Sequence, residues 1–301
     1  MTRHALDVTD FDAREIHQIL DMAKLPPTAL GRPLDGLGAA LIFEKASNRT
    51  RQSMEMAVFQ LGGHPIYTQA SEVGFDTREP VEDVVRIMEG YHALIAARVF
   101  AHSTVERMAA VAGVPIVNML SDHSHPLQAF ADALTMEQVL GPLTGKTVAW
   151  VGDYNNVARS LGEISALLGA HLRFACPVGY SADVAELERL ELLGAAGVTM
   201  THRPAEAVVG AHAVHADTWV SMGQEDEKAT RKQAFEGFAV DSELMALAAP
   251  DGVFMHCLPA YRGIEVAADV IDGPRSVVFQ QGHNRLHAAR AILAFLMGAR
   301  P

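Results

Sequence analysis

The sequence predicts an α/β protein of two lobes, each with a mostly parallel sheet flanked by helices. Its 301 residues correspond to about two domains of roughly 150 residues each. Apolar and β-branched segments alternate along the chain with segments of helical periodicity, which is the pattern of successive strand–helix units. The predicted strands cover 39–44, 65–68, 93–99, 115–119, 147–151, 172–175, 198–201, 213–216, 253–256 and 277–279.

Helices between these strands are predicted from their start and stop signals. Ser103 and Glu106 have the spacing of a capping box, so Ser103 is expected to cap one helix. A longer helix is predicted over 126–140, and the last one over 284–297, where apolar residues recur at helical spacing.

A domain boundary is predicted in the middle of the chain. The segment from Gly141 to Gly145 contains two glycines and a proline directly after a predicted helix, which is typical of a linker. We therefore expect one domain over 1–140, completed by the terminal helix 284–301, and a second domain over 141–283.

The charge and the apolar pattern exclude several classes of partner. The chain carries 24 Lys and Arg against 36 Asp and Glu, a formal net charge of −12. This charge argues against nucleic acid, and it requires a local basic pocket for any anion that binds. No stretch approaches the about 18 apolar residues of a membrane span, and the first segment lacks a signal-peptide core. A cytoplasmic protein with no membrane partner is expected.

The segment Ser47-Asn48-Arg49-Thr50-Arg51 lies between a predicted strand and a predicted helix. Free backbone N–H groups at a helix start favour an anion, and arginine adds paired donors, so a phosphoryl group would fit here. The alternative is that Ser47 or Asn48 only caps the helix and the arginines pair with surface carboxylates. The segment has neither a P-loop nor a GxGxxG motif, so a nucleotide is not implied.

His125 and Gln128 lie three residues apart at the start of the predicted helix 126–140 and share one face. Together they could polarise a carbonyl group whose oxygen gains charge in a transition state. Metal binding by His123 and His125 lacks a third ligand at useful spacing, so a structural role is the stronger alternative.

Polar residues also follow two strands of the second half. Gly152 begins a Rossmann-like turn, but the further glycines of a dinucleotide site are missing, and Asn155 and Asn156 stand there instead. These asparagines could cap the next helix or reach a polar substrate. Asp217 follows the strand 213–216, where it would suit an ammonium ligand or serve as a turn cap.

Only two cysteines occur, Cys176 and Cys257, and their separation fits neither a disulfide framework nor a CxxC site. Cys257 follows the strand 253–256, at the edge where open α/β sheets bind ligands. A free cysteine is usually a small buried apolar residue, which is the interpretation we favour for Cys176. The position of Cys257 favours a functional role.

Five segments, in order, resemble motifs of the aspartate/ornithine carbamoyltransferase family over nearly the whole chain. Ser47-Asn48-Arg49-Thr50-Arg51 resembles the carbamoyl phosphate loop, and His125-Pro126-Leu127-Gln128 resembles the His-Pro-x-Gln motif. Arg98 falls where an arginine at a strand end completes that site. The ornithine branch is indicated by three further segments: Asp217-Thr218-Trp219-Val220-Ser221-Met222-Gly223, His256-Cys257-Leu258-Pro259 and Asn284-Arg285-Leu286-His287.

The resemblance implies transfer of a carbamoyl group to the side-chain amine of L-ornithine, in arginine biosynthesis, without metal or organic cofactor. It also implies an active-site cleft between the two lobes and a homotrimer. The first domain would bind carbamoyl phosphate and the second ornithine. Carbamoyl phosphate would be bound by Ser47, Asn48, Arg49, Thr50, Arg98, His125, Gln128, Cys257, Leu258 and Arg285. Ornithine would be bound by Asn156, Asp217, Ser221 and Met222. Catalytic roles are implied for Cys257, His125, Arg98 and Arg49.

Two positions depart from the family pattern. Asn48 replaces a threonine, and Glu72 stands where the family often has a glutamine that reaches a neighbouring subunit's site. A carboxylate beside a phosphate should weaken binding unless it turns away or pairs with a cation. The alternatives are a carbamoyltransferase for another amine, such as putrescine or an N-acylated ornithine, a nicotinamide dehydrogenase, and a non-catalytic binding subunit.

Overall fold

The structure, a computed structural model, describes residues 2–220 and 225–299. The strands are β1 (Gly38–Phe43), β2 (His64–Gln69), β3 (Leu94–Arg98), β4 (Ile116–Leu120), β5 (Thr147–Val151), β6 (His171–Ala175), β7 (Gly197–Thr201), β8 (Ala213–Ala216) and β9 (Val253–His256). The helices are α1 (Ala13–Lys24), α2 (Asn48–Gln60), α3 (Ala70–Val73), α4 (Val81–Met88), α5 (His102–Val111), α6 (Pro126–Leu140), α7 (Asn156–Leu167), α8 (Val184–Leu193), α9 (Pro204–Val208), α10 (Lys228–Ala234), α11 (Ser242–Ala246), α12 (Ala268–Ile271) and α13 (Val278–Leu296).

Contacts divide the chain into two compact units. The first runs to Leu134 and includes the segment that begins at His283, and the second spans Thr135–Gly282. Each unit contains one parallel sheet with helices between its strands, which confirms the predicted fold class. Within the described ranges, no helix is long and apolar enough to cross a membrane.

The sheet of the first unit has the strand order β2-β1-β3-β4, and all its neighbouring strands run parallel. All five residues of β3 are buried, as expected for a central strand that helices cover on both faces. The edge strand β2 contains only exposed and half-buried residues. The register between β3 and β4 shifts at Ala97 and Arg98, the last two residues of β3.

The sheet of the second unit has the order β7-β6-β5-β8-β9 and is also parallel throughout. The central strands β5 and β8 are fully buried. Together with α9, α11 and α12, their apolar side chains form a core that includes Val214, Phe235 and Phe254. This core supports the carboxyl ends of β8 and β9.

Two local predictions are wrong. The predicted strand 277–279 is the start of α13, which begins at Val278, six residues before the predicted helix start. The chain pairs with β9 only briefly: Val277 N–H donates to the carbonyl of Phe254, and the helix begins at once. Gly282 lies within the helix in open space and interrupts the apolar pattern that would have revealed it.

The predicted capping box at Ser103 does not form. Helix α5 begins at His102 after Ala101, which makes no side-chain cap. The backbone N–H of His102 donates instead to the Asp122 carboxylate, 2.8 Å away and twenty residues along the chain. A long-range carboxylate therefore satisfies the helix end in place of the local hydroxyl.

Candidate active site

Three candidate residues follow the carboxyl ends of neighbouring strands in the first sheet. Ser47 caps α2 after β1, Arg98 ends β3, and His125 lies directly before α6, after β4. Because these strands are parallel and adjacent, their carboxyl ends lie at one edge, where open α/β sheets bind ligands. The strand order thus places the three side chains at the same edge.

The polar groups of this edge converge on Thr50. Its hydroxyl oxygen lies 3.1 Å from Ser47 Oγ and accepts hydrogen bonds from Arg98 at 3.4 Å and Arg285 at 3.3 Å. Arg285 comes from the part of α13 that belongs to the same unit. Arg98 is only 6% exposed and Arg285 5%. We call Ser47, Thr50, Arg98, His125 and Arg285 the anion cluster.

The burial and positive charge of the anion cluster affect the protonation of His125. Burial of the imidazole, with the nearby positive charges of Arg285 and Arg98, holds the pKa of His125 well below its usual value. The ring is therefore neutral near pH 7 and carries one N–H donor. A neutral donor beside two guanidinium groups favours an oxygen that carries or gains negative charge.

Gln128 is oriented by a residue that the sequence analysis missed. Its side-chain nitrogen donates to Asp132 Oδ1 at 2.7 Å, and both side chains are buried. The bond uses one of the two N–H donors of the Gln128 amide and orients the group, whose oxygen is an acceptor. The i, i+4 spacing on α6 was the available signal, but a buried carboxylate there gives no sequence signature of its own.

The remaining residues of the loop are exposed. Asn48 and Arg49 occupy the first turn of α2 and lie at the surface of the described unit. The Glu72 carboxylate accepts a hydrogen bond from the backbone N–H of Gln69 at 2.9 Å. The Glu72 carboxylate is thus engaged by the backbone of its own segment.

In the second unit, Asp217 joins residues from three neighbouring strands. It follows β8, and its Oδ2 accepts a hydrogen bond from Asn155 at 3.1 Å, in the turn after β5. Its Oδ1 accepts hydrogen bonds from the backbone of Thr218 at 2.8 Å and from the Cys257 thiol, after β9, at 2.9 Å. Asn155 also caps α7, so one side chain fixes both the helix start and the carboxylate.

The other predicted ornithine residues are only partly described. Asn156 is the first residue of α7 and is half-buried. Ser221 and Met222 lie outside the described residues. Leu258 adopts a φ of 56°, which is unusual for a leucine, in the turn directly after Cys257. The structure therefore groups Asp217, Asn155 and Cys257 at one edge of the second sheet.

Within the described part of the chain, one group of three side chains has metal-binding chemistry and short spacing. The candidate ligand atoms of Asp217, His256 and Cys257 lie within 4.8 Å of one another. A closed structural zinc site needs four ligands, and here the thiol bonds to Asp217 while His256 Nδ1 bonds to the backbone of Leu258. The contacts are those of protein groups that bind each other, so we assign no metal.

Fold and site together define a class of protein: a two-sheet α/β protein with a guanidinium cluster suited to an anion and a separate carboxylate–thiol pair suited to an amine. Family models agree with this division. Residues 3–138 match the carbamoyl-P binding domain of aspartate/ornithine carbamoyltransferases, and residues 144–296 match their Asp/Orn binding domain. The chain belongs to the aspartate/ornithine carbamoyltransferase family.

Individual relatives cover nearly the whole chain. It is 47% identical over 299 residues to an ornithine carbamoyltransferase of Thermus thermophilus, covering 99% of this chain and 97% of the relative. The solved ornithine carbamoyltransferase of Pyrococcus furiosus is 42% identical, with a TM-score of 0.94 and coverage of 99% and 98%. An anabolic ornithine carbamoyltransferase of Campylobacter jejuni is 32% identical, with a TM-score of 0.93 and complete coverage of both chains.

Proposed function

We propose that this protein transfers the carbamoyl group of carbamoyl phosphate to the side-chain amine of L-ornithine, giving L-citrulline and phosphate. The observation that carries the proposal is the convergence of Arg98 and Arg285 on Thr50 beside a neutral His125. Relatives that are named for this reaction and span nearly the whole chain support it.

The proposed donor site uses the first unit. The phosphoryl group is bound by the start of α2 and by two buried guanidinium groups, because helix N–H groups and arginine both favour a dianion. Its ligands are Ser47, Asn48, Arg49, Thr50, Arg98 and Arg285. His125 donates to the carbamoyl oxygen, and Gln128, held by Asp132, accepts from the carbamoyl NH2 group. Cys257 and Leu258 complete the ligand set.

The proposed acceptor site uses the second unit. Asp217 binds the α-ammonium group of ornithine, with Asn156, Ser221 and Met222 on the rest of the amino-acid end. The side-chain amine has a pKa near that of lysine, about 10.4, so only about one molecule in a thousand is neutral near pH 7. Cys257 orients this nitrogen and favours its neutral form.

The chemistry follows from these roles. The neutral amine attacks the carbamoyl carbon, and the oxygen of the tetrahedral intermediate is stabilised by His125, Arg98 and Thr50. The bond from carbon to the phosphate oxygen then breaks, the leaving phosphate accepts the proton that the attacking nitrogen loses, and hydrogen phosphate leaves within the anion cluster. The charge that develops in the transition state thus lies next to preorganised donors, which is where electrostatic catalysis is most effective.

The experiment is product formation from carbamoyl phosphate with a panel of amines. We expect citrulline from L-ornithine and at least about 100-fold lower kcat/KM with putrescine and N-acetyl-ornithine, since each lacks one charge that Asp217 or its neighbours bind. Preference for either of these amines would reassign the acceptor. No carbamoyl transfer to any amine, at unchanged phosphate binding, would favour a binding subunit and overturn the proposal.

We further propose a cytoplasmic homotrimer in which 1–140, completed by the terminal helix, is the donor domain and 141–283 the acceptor domain. Large apolar side chains on the first unit support self-association: Phe59 of α2 is 65% exposed and Ile66 of β2 42%. Exposed apolar residues on a helix and an adjacent edge strand are typical of a protein interface. A role in arginine biosynthesis fits the anabolic relative.

A further inference from the structure

A chain of buried polar side chains lies next to the turn that contains Cys257. His256, Glu265, Gln281 and His215 are each no more than 1% exposed. Burying four such groups is costly unless each has a defined hydrogen-bond partner, so their arrangement needs a reason. All four belong to the second unit.

The hydrogen bonds define the tautomer of His256. The backbone N–H of Leu258 donates to His256 Nδ1 at 2.9 Å, so Nδ1 carries no proton. The neutral ring then has its proton on Nε2, which lies 3.4 Å from Glu265 Oε1. The same carboxylate oxygen accepts the backbone N–H of Tyr261. Glu265 thus faces the one tautomer of His256 that can accept from Leu258.

The backbone of His256 is fixed as well. Its N–H donates to Gln281 Oε1 at 2.9 Å, and Gln281 Nε2 lies 3.0 Å from His215 Nε2. His215 Nδ1 lies 3.1 Å from the carbonyl of Ala216, the residue before Asp217. The chain therefore connects the end of β9, which carries Cys257, with the end of β8, which carries Asp217.

We propose that Glu265 and His256 are positioning residues for the turn at Cys257 and Leu258, an inference that rests on the proposed function. The bond from Leu258 N–H to a side chain two residues earlier has the connectivity of an Asx-turn, made here by imidazole. It holds Leu258 at its φ of 56° and keeps the Cys257 thiol on Asp217. Glu265 acts through His256: its carboxylate lies 3.4 Å from Nε2, and this electrostatic contact favours a proton on Nε2 and leaves Nδ1 as the acceptor for Leu258.

The test compares two amides at position 256. Asparagine places its oxygen near the position of Nδ1 and forms the same turn, whereas the longer glutamine reaches toward Nε2 and does not. We expect His256→Asn to keep kcat within about threefold and His256→Gln to lose about 100-fold, as expected when reacting groups move by an ångström. Thermal unfolding of both variants identifies any loss of fold.

The rate of Cys257 alkylation by iodoacetamide is the second measurement, with the fully buried Cys176 as internal reference. We expect His256→Asn to match the natural protein and His256→Gln to differ by about fivefold or more, because its thiol leaves Asp217. A purely structural role of His256 would lower the unfolding temperature without changing this rate in folded protein.

Glu265→Gln and Glu265→Met repeat the test from the other side of the pair. Glutamine keeps an oxygen with partial negative charge facing Nε2 and should retain kcat within about threefold. Methionine, of similar length, removes that oxygen and should lower kcat about as much as His256→Gln does. Equal kcat in His256→Asn and His256→Gln, or in the two Glu265 variants, overturns the inference. Absence of citrulline formation by the natural protein would instead refute the proposed function.

Discussion

Thr50 is a small side chain whose hydroxyl is in contact with Ser47, Arg98 and Arg285. The three partners come from the turn before α2, the end of β3 and the interior of α13. A ligand that replaces the hydroxyl as their acceptor meets donors that are already in place, so little side-chain ordering is needed on binding. We expect each buried guanidinium to contribute strongly to phosphate affinity.

The Arg98→Met variant tests the contribution of one buried guanidinium to phosphate binding. Loss of one buried charged donor should weaken phosphate binding by about 2 kcal/mol, or about 30-fold in Kd, measured by calorimetry with inorganic phosphate. Arg86→Met is the matched control, since Arg86 is an exposed arginine of α4 that forms a surface ion pair with Asp83. Equal affinity of the two variants would remove Arg98 from the donor site.

His125 gives a prediction for stability against pH. Its pKa is lowered on folding, so the unfolded chain binds a proton below about pH 6.5 that the folded protein does not. Stability from this residue is present above that pH and is lost as pH falls, by up to about 1.4 kcal/mol per unit. Urea unfolding at pH 7.5 and 5.5 should show a loss about 1 kcal/mol smaller in His125→Asn. Equal losses would contradict the neutral buried ring.

At the scale of elements, α7 is the clearest link between stability and function. Its cap, Asn155, accepts the N–H groups of Val157 and Ala158 and also donates to Asp217. The same side chain therefore stabilises the start of α7 and orients Asp217, the residue proposed to bind ornithine.

Asn155→Ala should lower the free energy of unfolding by about 1 kcal/mol and raise the KM for ornithine about tenfold. Asp183→Ala is the matched control, because Asp183 caps α8 by accepting the N–H of Glu186 at 2.8 Å without contacting the site. The control should lose similar stability and keep its KM. If KM for ornithine increased in both variants, the increase would follow from lost stability and not from the contact between Asn155 and Asp217.

The elements also show what sequence patterns reveal and what they do not. Strands such as β8 and β9 were predicted with their observed bounds, because short apolar runs between turn residues are typical of buried parallel strands. The start of α13 was missed, since a brief pairing with β9 precedes it and Gly282 interrupts its pattern.

For the candidate site, the sequence predicted residues at the ends of strands but not the residues that support them. Parallel strands end at a common edge, so His125, Asp217 and Cys257 could be placed at their sheet edges from sequence, whereas Arg98 was singled out by the family resemblance. Their supporting residues, Asp132 and Glu265, could not. Asp132 reads as one more helix residue of α6, and Glu265 follows Cys257 in an irregular loop, so only the folded chain shows which groups they contact.

At the scale of the whole molecule, the proposed trimer gives the fourth prediction. Phe59→Asp places a charge in the exposed apolar surface of the first unit, and burying it in an interface would be costly. We expect its mass in solution to fall from that of a trimer to that of a monomer, measured by sedimentation. Leu192→Asp, at a residue of α8 that is 89% exposed, should leave the trimer intact. If the Phe59→Asp variant still sedimented as a trimer, the interface would lie on another surface.

The return of the chain to the first unit at His283 affects how the protein matures during translation. Domains generally fold as they leave the ribosome, N-terminal parts first. Here the second unit is fully synthesised before Arg285, which completes the group around Thr50, has been added. If Arg285 binds phosphate as proposed, we expect a nascent chain to complete this site only after α13 has emerged, and termination before Arg285 to leave a product with weakened phosphate affinity.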